Sequence, residues 1–424
     1  MLKTILRKEH KNRWERRVAL TPDSVAKLHA AGLRIDIESC DTRVFSNASY
    51  LAAGAELVQT PDRHDLVLGI KEPPVTSIQT DQLHLCFSHT IKGQEYNMPL
   101  LQKFIDQRAT LIDYELMTNE QGVRTIAFGR FAGIAGAIDT LWLYVKKLRL
   151  NDRVSCLEGL KQTWEYQTVA AAQQALQELD SQSGEPVHVV ILGDGKVGQG
   201  TREVCEWLGL QAITAKQLYH GEYDINSSWY CIMAKEEIYA RLDKQEFDCA
   251  DYLREGKATH RSRFTDLIDK VDVVLQTSYW TDFYPRHMED ADFKTYADQL
   301  PEVLGDISCD INGSFACTKR ITNIDSPAFT YDHHTGELRD GLESGYMGVM
   351  AIDNLPCELS SDASNHFSQA LQKHLPALMQ IHFSDDYNDL ALDDELKRAI
   401  IVYQGELTPD YKYLQEHLSD ELKG

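Results

Sequence analysis

The stretch VHVVILGDGKVGQGTREVCEWLGL, residues 187–210, decides the fold. Its first six residues are a mostly apolar run between Pro186 and Gly193, as expected of a strand buried on both faces. Gly193, Gly195 and Gly198 follow at G-x-G-x-x-G spacing, with Lys196 and Val197 before the third glycine, and an amphipathic stretch comes next. In a strand–turn–helix unit the first glycine permits a tight turn and the second lets backbone approach a pyrophosphate. The third allows close helix packing, and the helix start adds free N–H groups with partial positive charge. The pattern predicts a dinucleotide site at Gly193, Gly195, Lys196, Val197 and Gly198.

In NAD-binding versions the next strand ends in an Asp or Glu about 20 residues on, where it meets the ribose 2′-hydroxyl. The stretch LQAITAKQL, residues 210–218, offers no acid and carries Thr214 and Lys216 at its expected tip. A cation there suits the 2′-phosphate, so NADP (NADPH) is the favoured cofactor and NAD the alternative.

Working outward, apolar runs at Val273–Gln276 and Val303–Ile307 continue the strand series. Before the glycine turn, Phe131–Leu150 reads as a long apolar helix and Thr163–Leu179 as a second helix, ending in the polar loop SQSGEP. In the first third, Thr4–Leu6, Ile35–Ile37, Leu66–Ile70, Leu83–Phe87 and Leu111–Tyr114 read as strands. Thr21-Pro22-Asp23 starts a helix that runs to Ala31. Near Gly341 the character changes; the amphipathic run His366–Gln380 is expected to fold back onto the first domain, and Ser384–Gly424 reads as acidic and helical. The predicted class is α/β, with two Rossmann-like parallel-sheet domains and a cleft between them. Residues 1–140 with 340–424 form the substrate domain, and 141–339 the dinucleotide domain.

Composition narrows the function. A chain of 424 residues exceeds one ordinary core, which agrees with two domains. Its 43 Lys and Arg against 65 Asp and Glu give a formal charge of −22, which repels a nucleic-acid backbone. The absence of an apolar run of about 18 residues argues against a membrane span. The start MLKTILRKEHKNRWERR lacks a secretory signal's apolar centre, so the expected location is cytoplasmic. Nine cysteines stand singly, without metal spacing, and read as small buried residues with no metal site. Monomer and homo-oligomer both remain open.

A dinucleotide needs a substrate site facing it, and ionisable residues at strand ends are the candidates. Lys71, in GIKEPP, and His89, in FSHTIKG, end successive strands, and Glu115, in LIDYE, ends a third. A lysine and a histidine beside a carboxylate can have their proton affinities drawn towards neutrality, which suits acid–base work. Arg17, in WERRVALTP, and Arg124, in GVRTIAFG, have the fork that holds carboxylates.

At these residues the chain resembles the saccharopine dehydrogenase and lysine–2-oxoglutarate reductase family, itself related in fold to alanine dehydrogenase. The segments that carry the likeness are WERRVALTP, GIKEPP, FSHTIKGQEYNMPLL, LIDYELMTNEQGVR, FGRFAGIAGAID, GDGKVGQG, DISCDINGS, ITNIDSPAFTYD and IDNLPCELSSDASNHF. Several look more like the reductase half of the bifunctional lysine-degrading enzyme than the fungal monofunctional dehydrogenase. The resemblance implies acid–base roles for Lys71 and His89, and substrate contacts at Arg17, Glu115, Arg124 and the backbone of Phe128. It further implies that Asp306 and Asp310 border the nicotinamide. It departs from the family where LSSDAS, residues 359–364, replaces the usual LP-R-E-A-S.

The implied reaction is the NADPH-dependent joining of lysine and 2-oxoglutarate into saccharopine, without the later cleavage that belongs to the bifunctional enzyme's other half. Alternatives are NAD-linked, lysine-forming saccharopine oxidation, another opine or amino-acid dehydrogenase, and a catalytically silent dinucleotide sensor.

Overall fold

The computed structural model describes residues 1–179, 183–383 and 386–418. The chain divides into two compact units, Met1–Phe128 with Ser360–Gly424, and Gly129–Leu359. The bounds expected at 140 and 340 thus stand at 128 and 359, because the helix Gly129–Arg149 packs as a whole within the second unit and the segment before Ser360 stays with it.

In the first unit an eight-stranded sheet runs in the spatial order 57–58, 35–38, 4–6, 66–68, 83–86, 110–113, 400–403, 406–407. The first six are parallel and the last two add antiparallel. Strands Leu66–Leu68, Leu83–Cys86 and Thr110–Asp113 are buried at every position, which is why their sequences are apolar runs rather than alternations. Thr21 caps the helix Pro22–Ala30 by accepting the Ser24 N–H, as the start signal predicts. Between Thr4–Leu6 and Leu66–Leu68 the strand order reverses. In open α/β sheets this switch point is where ligands bind, at the carboxyl ends of the strands.

The C-terminal segment corrects one expectation. Asp394–Arg398 is a short helix, but Ile400–Tyr403 is a buried strand paired with Thr110–Asp113, since the run IIVY favours a sheet over a solvated helix. Residues 384–385 and 419–424 of that stretch, and 181–182 of the expected SQSGEP loop, lie outside the described residues. Helices Ser360–Leu371 and Leu375–Met379 belong to the first unit, where Phe367, Leu371, Leu375 and Leu378 join its core.

The second unit has its own eight-stranded sheet, in the order 338–340, 328–331, 347–350, 303–306, 273–276, 188–192, 229–233, 211–212. The six strands from 347–350 to 211–212 are parallel. The expected helix Thr163–Leu179 is interrupted: a turn at Thr163–Tyr166 ends at Gln167, which has a left-handed φ of 66°, and Val169–Gln177 restarts under a Thr168 cap. Helix Gly129–Arg149 crosses helix Lys196–Trp207 so closely that a Cβ on Gly133 would stand 2.0 Å from the Val197 carbonyl oxygen, and one on Gly200 2.2 Å from that of Arg130. Gly133 of FAGIAGA and Gly200 of GQG are therefore required by this crossing.

A second correction concerns strand order. The sequence made 210–218 the neighbour of the glycine-turn strand. It is instead a two-residue edge strand, Gln211–Ala212, and the neighbour is Trp229–Met233. Lys216 lies exposed in the helix Ala215–His220, which Thr214 caps. Of the nine free cysteines six are buried, Cys40 and Cys309 are half-buried, and Cys249 is exposed, so burial does not explain them all.

Candidate active site

The first unit gathers ionisable groups at its switch point. Leu68 and Leu85 are paired residues of adjacent parallel strands, so Lys71 and His89 leave the same edge of the sheet within a few residues of each strand end. The Lys71 backbone is clamped: its N–H donates to Glu9 Oε2 at 3.0 Å and its carbonyl accepts from the Arg7 guanidinium. Glu9 also takes the Ile70 N–H at 2.7 Å. Arg7 follows the strand on one side of the switch point and Lys71 the strand on the other, and Glu9 ties the two ends together.

Burial lowers the proton affinity of the Lys71 amine, and the charges of Arg17 and Lys11 lower it further against the pull of Glu15 and Glu72. Glu72 Oε1 lies 2.5 Å from His89 Nδ1. Burial pushes the Glu72 carboxyl up, but this hydrogen bond and the charge of His89 hold it below the usual range. His89 has a left-handed φ of 52°, a strained conformation for a histidine, and its carbonyl is held by Asn97 Nδ2 at 3.0 Å. Strain of this kind survives where the surroundings fix a side chain in one place.

Arg17 is buried and makes a two-pronged pair with Glu15, Nε to Oε1 at 2.8 Å and Nη2 to Oε2 at 2.6 Å. Its guanidinium also stands over the Phe128 ring, 4.3 Å from the centroid. Phe128 stacks on Phe367 at 4.9 Å, and Phe87 packs against both rings. Glu115 and the exposed Arg124 form a 2.5 Å pair. Glu115 is placed by Asp113, whose buried carboxylate accepts its N–H at 2.8 Å and the Ser88 hydroxyl at 2.5 Å. The structure thus links Lys71, Glu72 and His89 in one charge network with Arg17, and places Glu115 with Arg124 as a separate pair on the same unit.

Sequence reasoning missed Glu9, Glu15, Glu72 and Arg7. The signal for the first two was present: Glu9 and Glu15 are the acids in the otherwise basic run RKEHKNRWERR. A lone acid among cations, next to a strand end, is a candidate for an internal pair.

In the second unit Gly193 adopts a φ of 115°, and a Cβ on Gly198 would stand 2.0 Å from the Gly193 carbonyl oxygen, so the turn tolerates no side chain there. Gly195 is the N-cap of helix Lys196–Trp207 and has no side chain to cap it; nothing lies within 4 Å of where its Cβ would be. The open space and the uncapped N–H groups fit a pyrophosphate. Lys196 and Val197 begin the helix, with Lys196 exposed.

Asp306, at the end of the Val303–Asp306 strand, is buried, and its carboxylate accepts the Ser308 and Thr318 hydroxyls at 2.7 Å each and the Cys309 N–H at 3.1 Å. Burial raises its carboxyl to about 6 despite those bonds. Its oxygens therefore organise the DISCD turn, in which half-buried Asp310 is the better presented of the two. Among the described residues no group of three or more His, Cys, Asp or Glu has the arrangement of a metal site, and no helix is long and apolar enough to cross a membrane.

These features define a two-domain α/β protein with the alanine dehydrogenase fold. The structure matches an L-alanine dehydrogenase with a TM-score of 0.63 over 98% of this chain and 100% of that one, at 18% identity. A transhydrogenase from Sinorhizobium meliloti matches with a TM-score of 0.59 over 95% and 99%, at 13% identity. Residues 5–135 match the family "Alanine dehydrogenase/PNT, N-terminal domain".

In sequence the chain is 31% identical to an alpha-aminoadipic semialdehyde synthase of Arabidopsis thaliana, over 95% of this chain and 40% of that protein. It is 28% identical to the mitochondrial alpha-aminoadipic semialdehyde synthase of Mus musculus, over 97% and 47%. To the saccharopine dehydrogenase (NAD(+), L-lysine-forming) of Neurospora crassa it is 27% identical, over 89% and 90%. The chain spans less than half the length of the synthases it matches. The resemblance to the saccharopine dehydrogenase and lysine–2-oxoglutarate reductase family is borne out.

Proposed function

We propose that the chain is a nicotinamide-dependent oxidoreductase of the CH–NH class that forms saccharopine reversibly from L-lysine and 2-oxoglutarate, with NADPH favoured over NADH. The observation that carries this reading is the Lys71–Glu72–His89 network at the switch point of the sheet, with the charge of buried Arg17 acting on Lys71. A simple dinucleotide sensor has no use for a lysine of depressed proton affinity coupled to a carboxylate-held histidine.

The bound dinucleotide would supply the hydride that reduces the imine. The protein's own groups handle protons and position. Substrate lysine arrives as an ammonium ion and must lose a proton before its nitrogen can attack the keto carbon of the oxo acid. Lys71 is suited to accept it, because burial and neighbouring cations favour its neutral form. In the tautomer that donates from Nδ1 to Glu72, a neutral His89 would present Nε2 as an acceptor, which suits it as a second base. The carbinolamine then loses its hydroxyl as water, taking a proton back from one of these groups, and the imine forms. The product carries the carboxylate of lysine and both carboxylates of the oxo acid. Arg17 and Arg124 are the cations suited to hold them, Arg17 by exchanging its contacts with Glu15 and Arg124 its contact with Glu115. Phe128 and Phe367 give the site an apolar wall.

The test is oxidation of NADPH, or of NADH, by the purified chain with lysine and 2-oxoglutarate. Lys71→Met and His89→Gln are each expected to lower turnover about 10²- to 10⁴-fold, the usual worth of a general acid or base, while dinucleotide binding survives. Unchanged turnover in both variants would sink the assignment. Preference for NADH with the reverse reaction would instead favour lysine-forming oxidation of saccharopine by the same groups.

A further inference from the structure

Lys216, the residue the sequence singles out for the ribose end of the cofactor, follows the edge strand and not the strand beside the glycine turn. In a glycine-turn fold the adenosine ribose lies over the tip of the strand beside the glycine-turn strand, on the side away from the rest of the sheet. That strand here is Trp229–Met233, in register with His188–Leu192 along its whole length. Its last carbonyl, on Met233, accepts the N–H of Gly193 at 3.0 Å, which fixes the strand tip directly against the first glycine of the turn. Gln211–Ala212 lies one strand further out, at the sheet edge. The chain therefore visits the edge first and the ribose position second, about twice as far along the sequence as the usual spacing anticipates.

The residues after Met233 are Ala234, Lys235, Glu236 and Glu237. Ala234 occupies the place of the acid that would meet a 2′-hydroxyl, and it has no polar side chain. The Glu237 carboxylate is turned back onto the Ala234 N–H at 2.8 Å, and the Glu237 carbonyl accepts the Tyr219 hydroxyl at 2.9 Å, so this acid is engaged in holding the tip. Lys235 is exposed. We infer that Lys235, at the tip of the Trp229–Met233 strand, reads the 2′-phosphate of NADP, and that Lys216 does not. An ammonium ion next to the strand tip supplies the charge-assisted contact a phosphate needs, while the small Ala234 leaves it room.

The inference rests on the dinucleotide reading, and the experiment separates the two. NADPH and NADH are titrated against the full chain by their fluorescence, without substrates, for the wild type and for K235Q, K235E, K235R and K216Q. K235Q and K235E are expected to weaken NADPH binding about tenfold and K235R to retain it, with the NADH Kd moving less than about twofold. An unchanged ratio of the two Kd values in K235Q, or a ratio altered by K216Q, overturns the inference and leaves the dinucleotide reading standing. Loss of NADH binding in Glu236→Gln also overturns it, since that acid would then hold the ribose as in an NAD enzyme. A wild type that binds neither dinucleotide removes both.

Discussion

At the scale of single residues the proposed chemistry turns on Lys71. A lysine amine in water stays protonated to about pH 10.4, so it is a poor base at neutral pH. Burial disfavours its charge, and Arg17 and Lys11 add repulsion. Because the folded proton affinity is depressed, the neutral, proton-accepting form becomes available at a lower pH than for a free lysine. In the condensing direction kcat is then expected to rise with pH through the Lys71 range. Arg17→Gln removes the strongest cationic neighbour and is expected to move that rise to higher pH, apart from any effect on KM. A pH profile of kcat that keeps its position in the variant contradicts the electrostatic account.

Lys71, His89 and Arg17 were legible in the sequence because strand ends and a W-E-R-R-V-A-L-T-P element mark them. Glu72 was not, since adjacency to Lys71 in GIKEPP says nothing of which histidine a carboxylate will meet.

At the scale of elements the glycine turn and the crossing of helices Gly129–Arg149 and Lys196–Trp207 position the second unit's ligand surface. A Cβ on Gly133 would overlap the Val197 carbonyl at 2.0 Å and crowd Thr201 N at 2.9 Å, both backbone atoms that cannot swing aside. Gly133→Ala is expected to cost about 1–3 kcal/mol, as overpacking does, and to loosen dinucleotide binding because Val197 lies at the start of the helix that follows the glycine turn. Thermal unfolding and a dinucleotide titration check this together; a variant with wild-type stability and Kd would show that the crossing is not as close as described.

Element type was readable wherever apolar residues formed an uninterrupted run, as at Thr4–Leu6 and Val273–Gln276. It failed at Gln167, whose left-handed φ breaks a periodic pattern, and at Ile400–Tyr403, where an acidic average concealed a four-residue β-branched and aromatic run. Strand order failed for another reason. Nothing in the local pattern of LQAITAKQL tells that a later strand, WYCIM, will take the central place beside the glycine turn.

At the scale of the whole molecule the chain builds the first unit from both of its ends and the second from one continuous middle segment. Each has its own sheet and core. The segment 129–359 is therefore expected to fold alone, with a cooperative unfolding transition, and to bind dinucleotide without binding lysine or 2-oxoglutarate. A fragment that stays unfolded, while the full chain folds, would show that the second unit depends on the first. The two-unit plan was legible from length and from the apolar runs on either side of the long helix, but the unit bounds were not, because the helix is apolar on nearly all sides and its partner is set by packing.

The proposed reaction joins an amine to an oxo acid and reduces the resulting imine on one chain. Incubating the chain with NADPH, 2-oxoglutarate and lysine carrying ¹⁵N at the ε position, and determining the mass of what forms, distinguishes it from its alternatives. The expected outcome is a single adduct that retains both carbon skeletons and the labelled nitrogen, formed as NADPH is consumed. NADPH consumption that yields glutamate alone, or no consumption with either nicotinamide cofactor, would contradict it.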